Sequence, residues 1–227
     1  MKKNKEKEIK LIDIKKIRFS PEIEVELPAK QDADKLIERG KTLKGWEIKS
    51  DGSLDNGIEL SPENSNHLYW NDDSLMQIKE ILALIRVYRG KINIKTCGFH
   101  IHIDIKHLTD KQILTIIKEF IHKQRYIIKR FNVHKDRLEH TCQLLPKENL
   151  HKLTEKEIYK FRNKSDFSFS NYDYLDEKYY SLNVTHLPRN NYQTLEFRLF
   201  GGSLNFREIK ERIYWVLNFI KDSLERD

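Results

Sequence analysis

The chain has 227 residues, of which 38% are hydrophobic and 34% are charged, and its formal net charge is +7. This length suits one large domain or two small ones, and the low counts of Gly (8) and Pro (5) exclude collagen-like and Pro/Gly-rich disordered proteins. No apolar run approaches the roughly 20 residues that a membrane-spanning helix needs, so we expect no membrane partner.

A basic arm is predicted over residues 1–19, and a single domain over residues 20–227. Charges interrupt the arm, so it does not resemble a signal peptide. The two cysteines, Cys97 and Cys142, form no CxxC pair and favour a reducing compartment, which predicts a cytoplasmic protein. Outside the arm, lysine and arginine are scattered among almost as many acids, so nucleic acid is not expected as the main partner.

The first two predicted elements after the arm are strands with an acidic face. Apolar and acidic residues alternate over 23–27, so Glu24 and Glu26 point to the same side. A shorter version of this pattern over 57–60 contains Glu59. Carboxylates two residues apart on a strand lie about 7 Å apart and repel by roughly 2 kcal/mol at an effective dielectric constant of about 20. In a concave site, a divalent cation would relieve this repulsion.

A helix is predicted next, followed by a strand with an unusual polar face. A capping box that starts at Ser74 precedes apolar residues at helical spacing. In the stretch GFHIHIDIK, residues 98–106, the polar side carries His100, His102 and Asp104. A solvated face more usually carries Lys, Thr or Ser. Carboxylates suit Mg²⁺ and Mn²⁺, and an imidazole among them favours Mn²⁺ or Zn²⁺.

The remaining predicted elements are again amphipathic helices and strands with one polar face. A second capping box at Thr109 opens an amphipathic helix, a strand is predicted over 179–186, and Asn205 opens the last helix. Between the strand over 179–186 and the last helix, another strand is predicted, and Glu196 and Arg198 lie on its polar side. A guanidinium does not bind metal, so Arg198 either forms a structural ion pair with Glu196 or holds a carboxylate or phosphate.

These elements predict an α+β fold with a curved antiparallel sheet, helices on its apolar face and charged residues on the other. No cysteine lies on the charged face, so a Cys-rich zinc site is not expected there. The sequence contains neither GxxxxGK[ST] nor GxGxxG, the familiar phosphate-binding loops. The predicted charged face carries eight side chains: Glu24, Glu26, Glu59, His100, His102, Asp104, Glu196 and Arg198.

Five motifs occur in one order between about residues 20 and 220. They are Glu24-Val25-Glu26, the stretch from Trp46 through Asp51-Gly52-Ser53-Leu54 to Gly57-Ile58-Glu59-Leu60-Ser61-Pro62, Cys97-Gly98-Phe99-His100-Ile101-His102, Tyr180-Ser181-Leu182-Asn183, and Thr194-Leu195-Glu196-Phe197-Arg198-Leu199-Phe200-Gly201-Gly202-Ser203-Leu204. Together they resemble the amidoligase family, compact relatives of glutamine synthetase and other ATP-dependent carboxylate–amine ligases. The resemblance implies a glutamine synthetase-like catalytic domain. In it, ATP phosphorylates a carboxylate, and an amine then displaces phosphate to leave an amide or isopeptide bond.

The resemblance also implies the ligands of two divalent cations, Mg²⁺ or Mn²⁺. Glu24, His100 and Glu196 match the family positions that bind one cation. Glu26 and Glu59 match the positions that bind a second. Both cations would bridge the ATP phosphates and the acid substrate.

Five further residues match positions that contact ATP or substrate in the family. His102 would lie near the nucleotide phosphates, and Arg198 would hold the acyl phosphate or the transferring phosphoryl group. Asp51, Ser53 and Asn183 match other positions in ATP or substrate binding, although DGS is also an ordinary turn sequence.

Two alternatives to a ligase stay open at this stage. One is a metal-dependent hydrolase of phosphoesters or peptides that uses the same His and Glu residues. The other is a non-catalytic basic protein that binds nucleic acid or another partner through its lysine-rich arm. For the ligase, the acid and the amine are not identified, and a peptide or cell-wall precursor is one candidate. The polar and aromatic segment 164–176 is either a lid over the substrate or a plain surface loop.

Overall fold

Six strands form one open antiparallel sheet in the computed structural model, which describes residues 12–63, 67–147, 152–163, 179–188 and 193–226. Their order across the sheet is β2-β3-β1-β4-β6-β5, and helices complete an α+β fold, as predicted. The possible lid, 164–176, and residues 1–11 of the arm lie outside the described residues. The strands are β1 (Phe19–Glu26), β2 (Trp46–Asp51), β3 (Gly57–Pro62), β4 (Gly98–Asp104), β5 (Leu182–Asn183) and β6 (Thr194–Gly201).

Three of the helices agree with the sequence prediction, and the others were missed. Within the described part of the chain, no helix is both long and apolar enough to cross a bilayer. A short 3₁₀ turn, Ile14–Lys16, precedes β1. The helices are α1 (Lys30–Gly40), α2 (Asp72–Val87), α3 (Asp110–Arg130), α4 (Lys135–His140), α5 (Glu155–Arg162) and α6 (Phe206–Glu225).

The capping predictions are confirmed for α3 and α6 and wrong for α2. Thr109 and Gln112 form both hydrogen bonds of a capping box at the start of α3. Asn205 caps α6 by accepting a hydrogen bond from the backbone of Arg207. At α2 the cap is Asn71, whose Oδ1 accepts the backbone N–H of Ser74 at 2.9 Å, so Ser74 lies inside the first turn. The helix therefore begins at Asp72, and the Asn71 amide oxygen satisfies one of the free N–H groups of its first turn.

Apolar side chains from the sheet and the helices form one core. Phe197 of β6 makes edge-on contacts with Phe120 of α3 and Phe219 of α6, at ring-centroid distances of 5.5 and 5.9 Å. At the other end of the sheet, α1 packs so closely on β2 that a Cβ on Gly40 would lie 2.7 Å from Ile48. This packing fixes the apolar face inward and leaves the alternate residues of each strand on the opposite face.

The register of the strands lines up the polar residues of the opposite face. Glu24 of β1 lies across from Glu59 of β3, and His102 of β4 lies across from Glu196 of β6. Between Phe99 and Ile101 of β4 the pairing with β6 shifts, so that His100 faces two residues of β6 instead of one. Such a bulge redirects nearby side chains, and these bulges are common next to active sites.

The chain just before β1 contacts the domain. The backbone N–H of Ile12 donates to Glu225 at the end of α6, at 3.3 Å. Arg18 forms an ion pair with Asp104, whose side chain is only 2% exposed. Asp104 therefore lies on the charged face as predicted, but it is paired with this entering segment.

Candidate active site

Three carboxylates converge on His100, a side chain that is only 1% exposed. Its Nδ1 lies 2.6 Å from Glu22 Oε1, 3.4 Å from Glu196 Oε1 and 3.6 Å from Glu24 Oε1. The four residues come from the neighbouring strands β1, β4 and β6. His100 Nε2 is buried and has no hydrogen-bond partner among the described residues. A buried group of three acids around one imidazole has excess negative charge, which a divalent cation would neutralise.

Gly98 allows this close arrangement at the start of β4. Its backbone N–H donates to Glu24. A Cβ at this position would lie 2.3 Å from His100 Nε2 and 2.9 Å from both Glu24 Oε2 and Arg137 Nη2. Real Cβ atoms do not come this close to other heavy atoms, so any larger residue would displace the imidazole and the carboxylate.

Glu196 is the most heavily contacted carboxylate of the charged face. Arg198 donates to its Oε1, and Asn183 Nδ2 donates to its Oε2 at 2.6 Å. His186 Nε2 lies 3.3 Å from the same Oε2. Burial alone would raise the pKa of Glu196, but the positive charge of His102, the hydrogen bond from His186 and Arg198 together lower it to about 2. Glu196 is therefore ionised at every physiological pH.

His102 and Glu22 contact each other beside this carboxylate. His102 Nε2 lies 3.1 Å from Glu22 Oε2, and His102 Nδ1 lies 3.4 Å from the hydroxyl of Thr194. Burial would lower the pKa of His102, but the charges of Glu196 and Glu22 outweigh burial and raise it. Burial opposes ionisation of Glu22 as well, and the two histidines hold its pKa well below the ordinary value.

The two carboxylates predicted for a second cation lie on the β3 side of this cluster. Glu26 Oε1 accepts hydrogen bonds from Thr96 Oγ1 at 2.9 Å and from Asn93 Nδ2 at 3.3 Å. Glu59 pairs with Glu24 on one neighbouring strand, β1, and with Lys49 on the other, β2. That Glu26 and Glu59 together bind a cation stays a prediction. Among the described residues, two groups have three ligand atoms within 4.8 Å of one another: Glu22, His100 and Glu196, and His102, His186 and Glu196.

Asp51 and Ser53 form a turn between β2 and β3. The Asp51 carboxylate accepts hydrogen bonds from the backbone N–H and the hydroxyl of Ser53, at 2.8 and 2.7 Å. This is the local side-chain bonding that a DGS sequence favours. Their predicted contact with ATP or substrate remains a prediction.

Sequence reasoning missed Glu22 and His186. Glu22 continues the alternation of Glu24 and Glu26 on β1, so the period of two could have identified it. His186 was hidden by the predicted strand over 179–186, which is too long. The strand ends at Asn183, and a turn over 185–188 brings His186 to the same carboxylate that Asn183 contacts.

Comparison with known protein families identifies the family of the chain. A sequence model of the family described as "Putative amidoligase enzyme" matches residues 19–220. The chain belongs to this amidoligase family. The match begins at the first residue of β1 and includes all of the site residues described above, and this membership indicates a ligase-type enzyme. No curated protein matches the chain at a significant level.

Arg137 supports the amidoligase site from α4, and no sequence pattern indicated it. Its side chain is fully buried. The guanidinium donates to the carbonyl oxygens of Thr96 at 3.1 Å, Cys97 at 2.9 Å and Arg198 at 3.4 Å. Arg137 therefore ties the start of β4 to the bulged part of β6, which are the two segments that carry His100 and Arg198.

Glu59 makes the stability of the metal-free amidoligase depend on pH. Burial, together with the negative charge of Glu22, raises its pKa from 4.5 to about 7. Between pH 4.5 and about pH 7, the Glu59 carboxyl is protonated in the folded state and ionised in the unfolded chain. The stabilising contribution is therefore complete below about pH 4.5 and is lost as the pH rises through about 7. We expect Glu59→Gln, which cannot ionise, to be more stable than wild type at about pH 8 by on the order of 2 kcal/mol.

Denaturant unfolding in the presence of a chelator, at about pH 5 and about pH 8, measures this effect. Glu80→Gln is the matched control, because Glu80 is exposed on α2. Added Mn²⁺ is expected to stabilise wild type more than Glu59→Gln at the higher pH, since a nearby cation favours the ionised carboxylate. If wild type and Glu59→Gln show the same pH dependence, Glu59 is not the titrating group.

Proposed function

We propose that the chain is an ATP-dependent carboxylate–amine ligase that forms an amide or isopeptide bond through an acyl-phosphate intermediate. The observation that supports this most directly is the convergence of Glu22, Glu24 and Glu196 on His100, with Arg198 beside them, in a member of the amidoligase family. The proposal includes a glutamine synthetase-like catalytic domain.

The residues around His100 fit a divalent cation, Mg²⁺ or Mn²⁺. Glu22, His100 and Glu196 would hold it, since their ligand atoms lie within 4.8 Å of one another, and Glu24, which family resemblance supplied, lies 3.6 Å from His100 Nδ1 and would complete the set. The set consists of carboxylate oxygens with a single imidazole, which suits these hard ions. A cation bound here would neutralise the charge of the ATP phosphates and of the acid substrate.

Arg198 supplies positive charge from the protein itself. Burial would lower the pKa of Arg198, but Glu196, Glu22 and Glu24 raise it, so the guanidinium stays charged. Its Nε is buried without a hydrogen-bond partner among the described residues. A planar guanidinium next to the cation ligands would hold the γ-phosphoryl group while a carboxylate oxygen attacks phosphorus and ADP leaves.

The second step requires an amine to attack the acyl carbon. The carbon–oxygen bond to phosphate then breaks, phosphate leaves, and the nitrogen loses a proton. We propose that Arg198 also holds the departing phosphate, and that His102 lies near the nucleotide phosphates. Asp51, Ser53 and Asn183 would contribute to ATP or substrate binding. The acid and amine would come from a peptide or a cell-wall precursor.

The reaction requires ATP and is proposed to take place in the cytoplasm, where thiols stay reduced. Cys97 and Cys142 are both free and buried, in accord with such a compartment. We do not expect nucleic acid to be the main partner, because the dense basic cluster is confined to the first residues of the chain.

The direct test is phosphate release from ATP in the presence of candidate acids and amines. Release that requires both substrates together with Mg²⁺ or Mn²⁺, and that a chelator abolishes, is the expected result. Mass spectrometry of the joined product would then identify the bond. If the protein does not bind Mg-ATP at millimolar concentration, the ligase proposal is wrong.

A metal-dependent hydrolase is the second candidate, and one observation favours it. His102, His186 and Glu196 form a two-His, one-Glu group of the kind that holds catalytic zinc. Such an enzyme would form product from a phosphoester or peptide without nucleotide. Incubation of these substrates with Zn²⁺ or Mn²⁺ in the absence of ATP separates the two candidates.

A further inference from the structure

The two oxygens of Glu196 face different groups of ligands. Oε1 faces β4, where His100 Nδ1 lies 3.4 Å away and His102 Nε2 lies 3.9 Å away. Oε2 faces the β5 side of the sheet, where His186 Nε2 lies 3.3 Å away. A carboxylate with ligands on both sides can bridge two cations, and pairs of metal ions in enzymes are commonly about 3.5–4 Å apart.

We propose that His102, His186 and Glu196 form an additional cation position that binds a transition-metal ion such as Mn²⁺, Zn²⁺ or Co²⁺ in preference to Mg²⁺. Its residues come from β4, β6 and the turn after β5, and none comes from β1 or β3, the strands that carry Glu24, Glu26 and Glu59. It rests on the proposed function only in sharing Glu196 with the cation site around His100.

The side-chain types in the group of His102, His186 and Glu196 determine which metal ions it prefers. Two of its three side chains are imidazoles, which suit Mn²⁺, Zn²⁺ and Co²⁺, whereas Mg²⁺ prefers oxygen ligands. The three ligand atoms already lie within 4.8 Å of one another. The rings of His102 and His186 are adjacent, with centroids 5.6 Å apart. Metal–ligand bonds of about 2.0–2.2 Å require the three atoms to move closer together.

Small side-chain movements can bring the three ligand atoms to metal-bonding distance. Glu196 is fixed by Asn183 and Arg198, so it supplies a rigid side of the position. His186 is on a turn and its side chain is 20% exposed, which leaves the ring freer to move than the strand residues. An ion could also reach the group from solvent on this exposed side.

The number of imidazoles on one bound ion distinguishes this position from the site around His100. Mn²⁺ is titrated into the full chain in a large excess of Mg²⁺ and without nucleotide, and pulsed electron paramagnetic resonance counts the coupled imidazole nitrogens. Two imidazoles on one Mn²⁺ are expected. A single imidazole, as His100 alone would give, or displacement of all Mn²⁺ by Mg²⁺ overturns the proposal.

His186→Gln tests the assignment of the second imidazole. Glutamine keeps a hydrogen-bond donor for Glu196 but is a poor ligand for these ions, so Mn²⁺ affinity is expected to fall at least about tenfold and one imidazole coupling to disappear. His122→Gln, on the exposed side of α3, is the control and should behave as wild type. Unchanged Mn²⁺ binding in His186→Gln contradicts the assignment. Since no ATP is present, this result is independent of whether the chain proves to be a ligase.

Discussion

Replacing Glu196 with glutamine is expected to weaken cation and nucleotide binding together, each by at least about tenfold. The substitution removes one negative charge but nearly keeps the shape of a side chain that is only 2% exposed. Asn183 and Arg198 donate to different oxygens of Glu196, so the one oxygen of glutamine keeps one of these bonds and its NH₂ group faces the other donor. Calorimetric titrations of Mn²⁺ and of Mg-ATP into the variant measure both affinities.

Arg198→Lys on the same strand is expected to have a different effect. Lysine keeps the positive charge but loses the planar pair of N–H donors. Mg-ATP should therefore still bind. Turnover should fall by about 100- to 1,000-fold, which is typical when an enzyme loses one hydrogen-bond donor to the charge that develops in the transition state.

The pair of variants also tests the simpler interpretation, in which Glu196 and Arg198 form only a structural ion pair. In that case both substitutions would lower the melting temperature and leave cation affinity unchanged. Melting curves recorded beside the titrations separate the two explanations. Unchanged Mn²⁺ binding in Glu196→Gln would remove the reason for treating this face of the sheet as an active site.

Arg137→Met is expected to destabilise the fold by about 3 kcal/mol, because each buried acceptor left without a donor costs roughly 1–3 kcal/mol. Methionine fills a similar volume but leaves the carbonyl oxygens of Thr96, Cys97 and Arg198 without this donor. Thr96 and Cys97 come just before the strand of His100, and Arg198 lies across from His100 on β6, so cation affinity should fall in the remaining folded protein. Denaturant unfolding and Mn²⁺ titration below the melting temperature measure both effects.

Arg125→Met is the matched control for this substitution. Arg125 is exposed on α3, so its replacement should change stability by no more than about 0.5 kcal/mol. If Arg137→Met is as stable as Arg125→Met, the guanidinium does not hold β4 and β6 together. A loss of stability without any loss of Mn²⁺ affinity would limit Arg137 to a structural role.

Several features of the fold could be predicted because they depend on local patterns. The alternation of apolar and ionisable residues in β4 determines a strand with one apolar face, whatever its neighbours are. The box formed by Thr109 and Gln112 determines where α3 begins, because both hydrogen bonds lie within four residues. The start of α2 was misjudged because Asn71 and Ser74 are both residue types that cap helices, and Asn71, three residues earlier, is the cap.

The site was predicted only where its residues alternate along a strand. Glu24, His100, His102, Glu196 and Arg198 were identified because strand periodicity places each on a polar face and the order of the motifs matches the amidoligase family. His186 could not be identified in this way, since its position depends on the turn after a very short strand.

The sequence by itself therefore determined the polar face of each strand, the amphipathic helices and the family of the protein. Only the tertiary structure decided that β1 lies between β3 and β4, that Glu22 approaches His100, and that Arg137 reaches the bulge beside Arg198. The reason is physical. Side-chain direction repeats within a few residues of chain, whereas strand order and register depend on packing between segments that are distant in sequence.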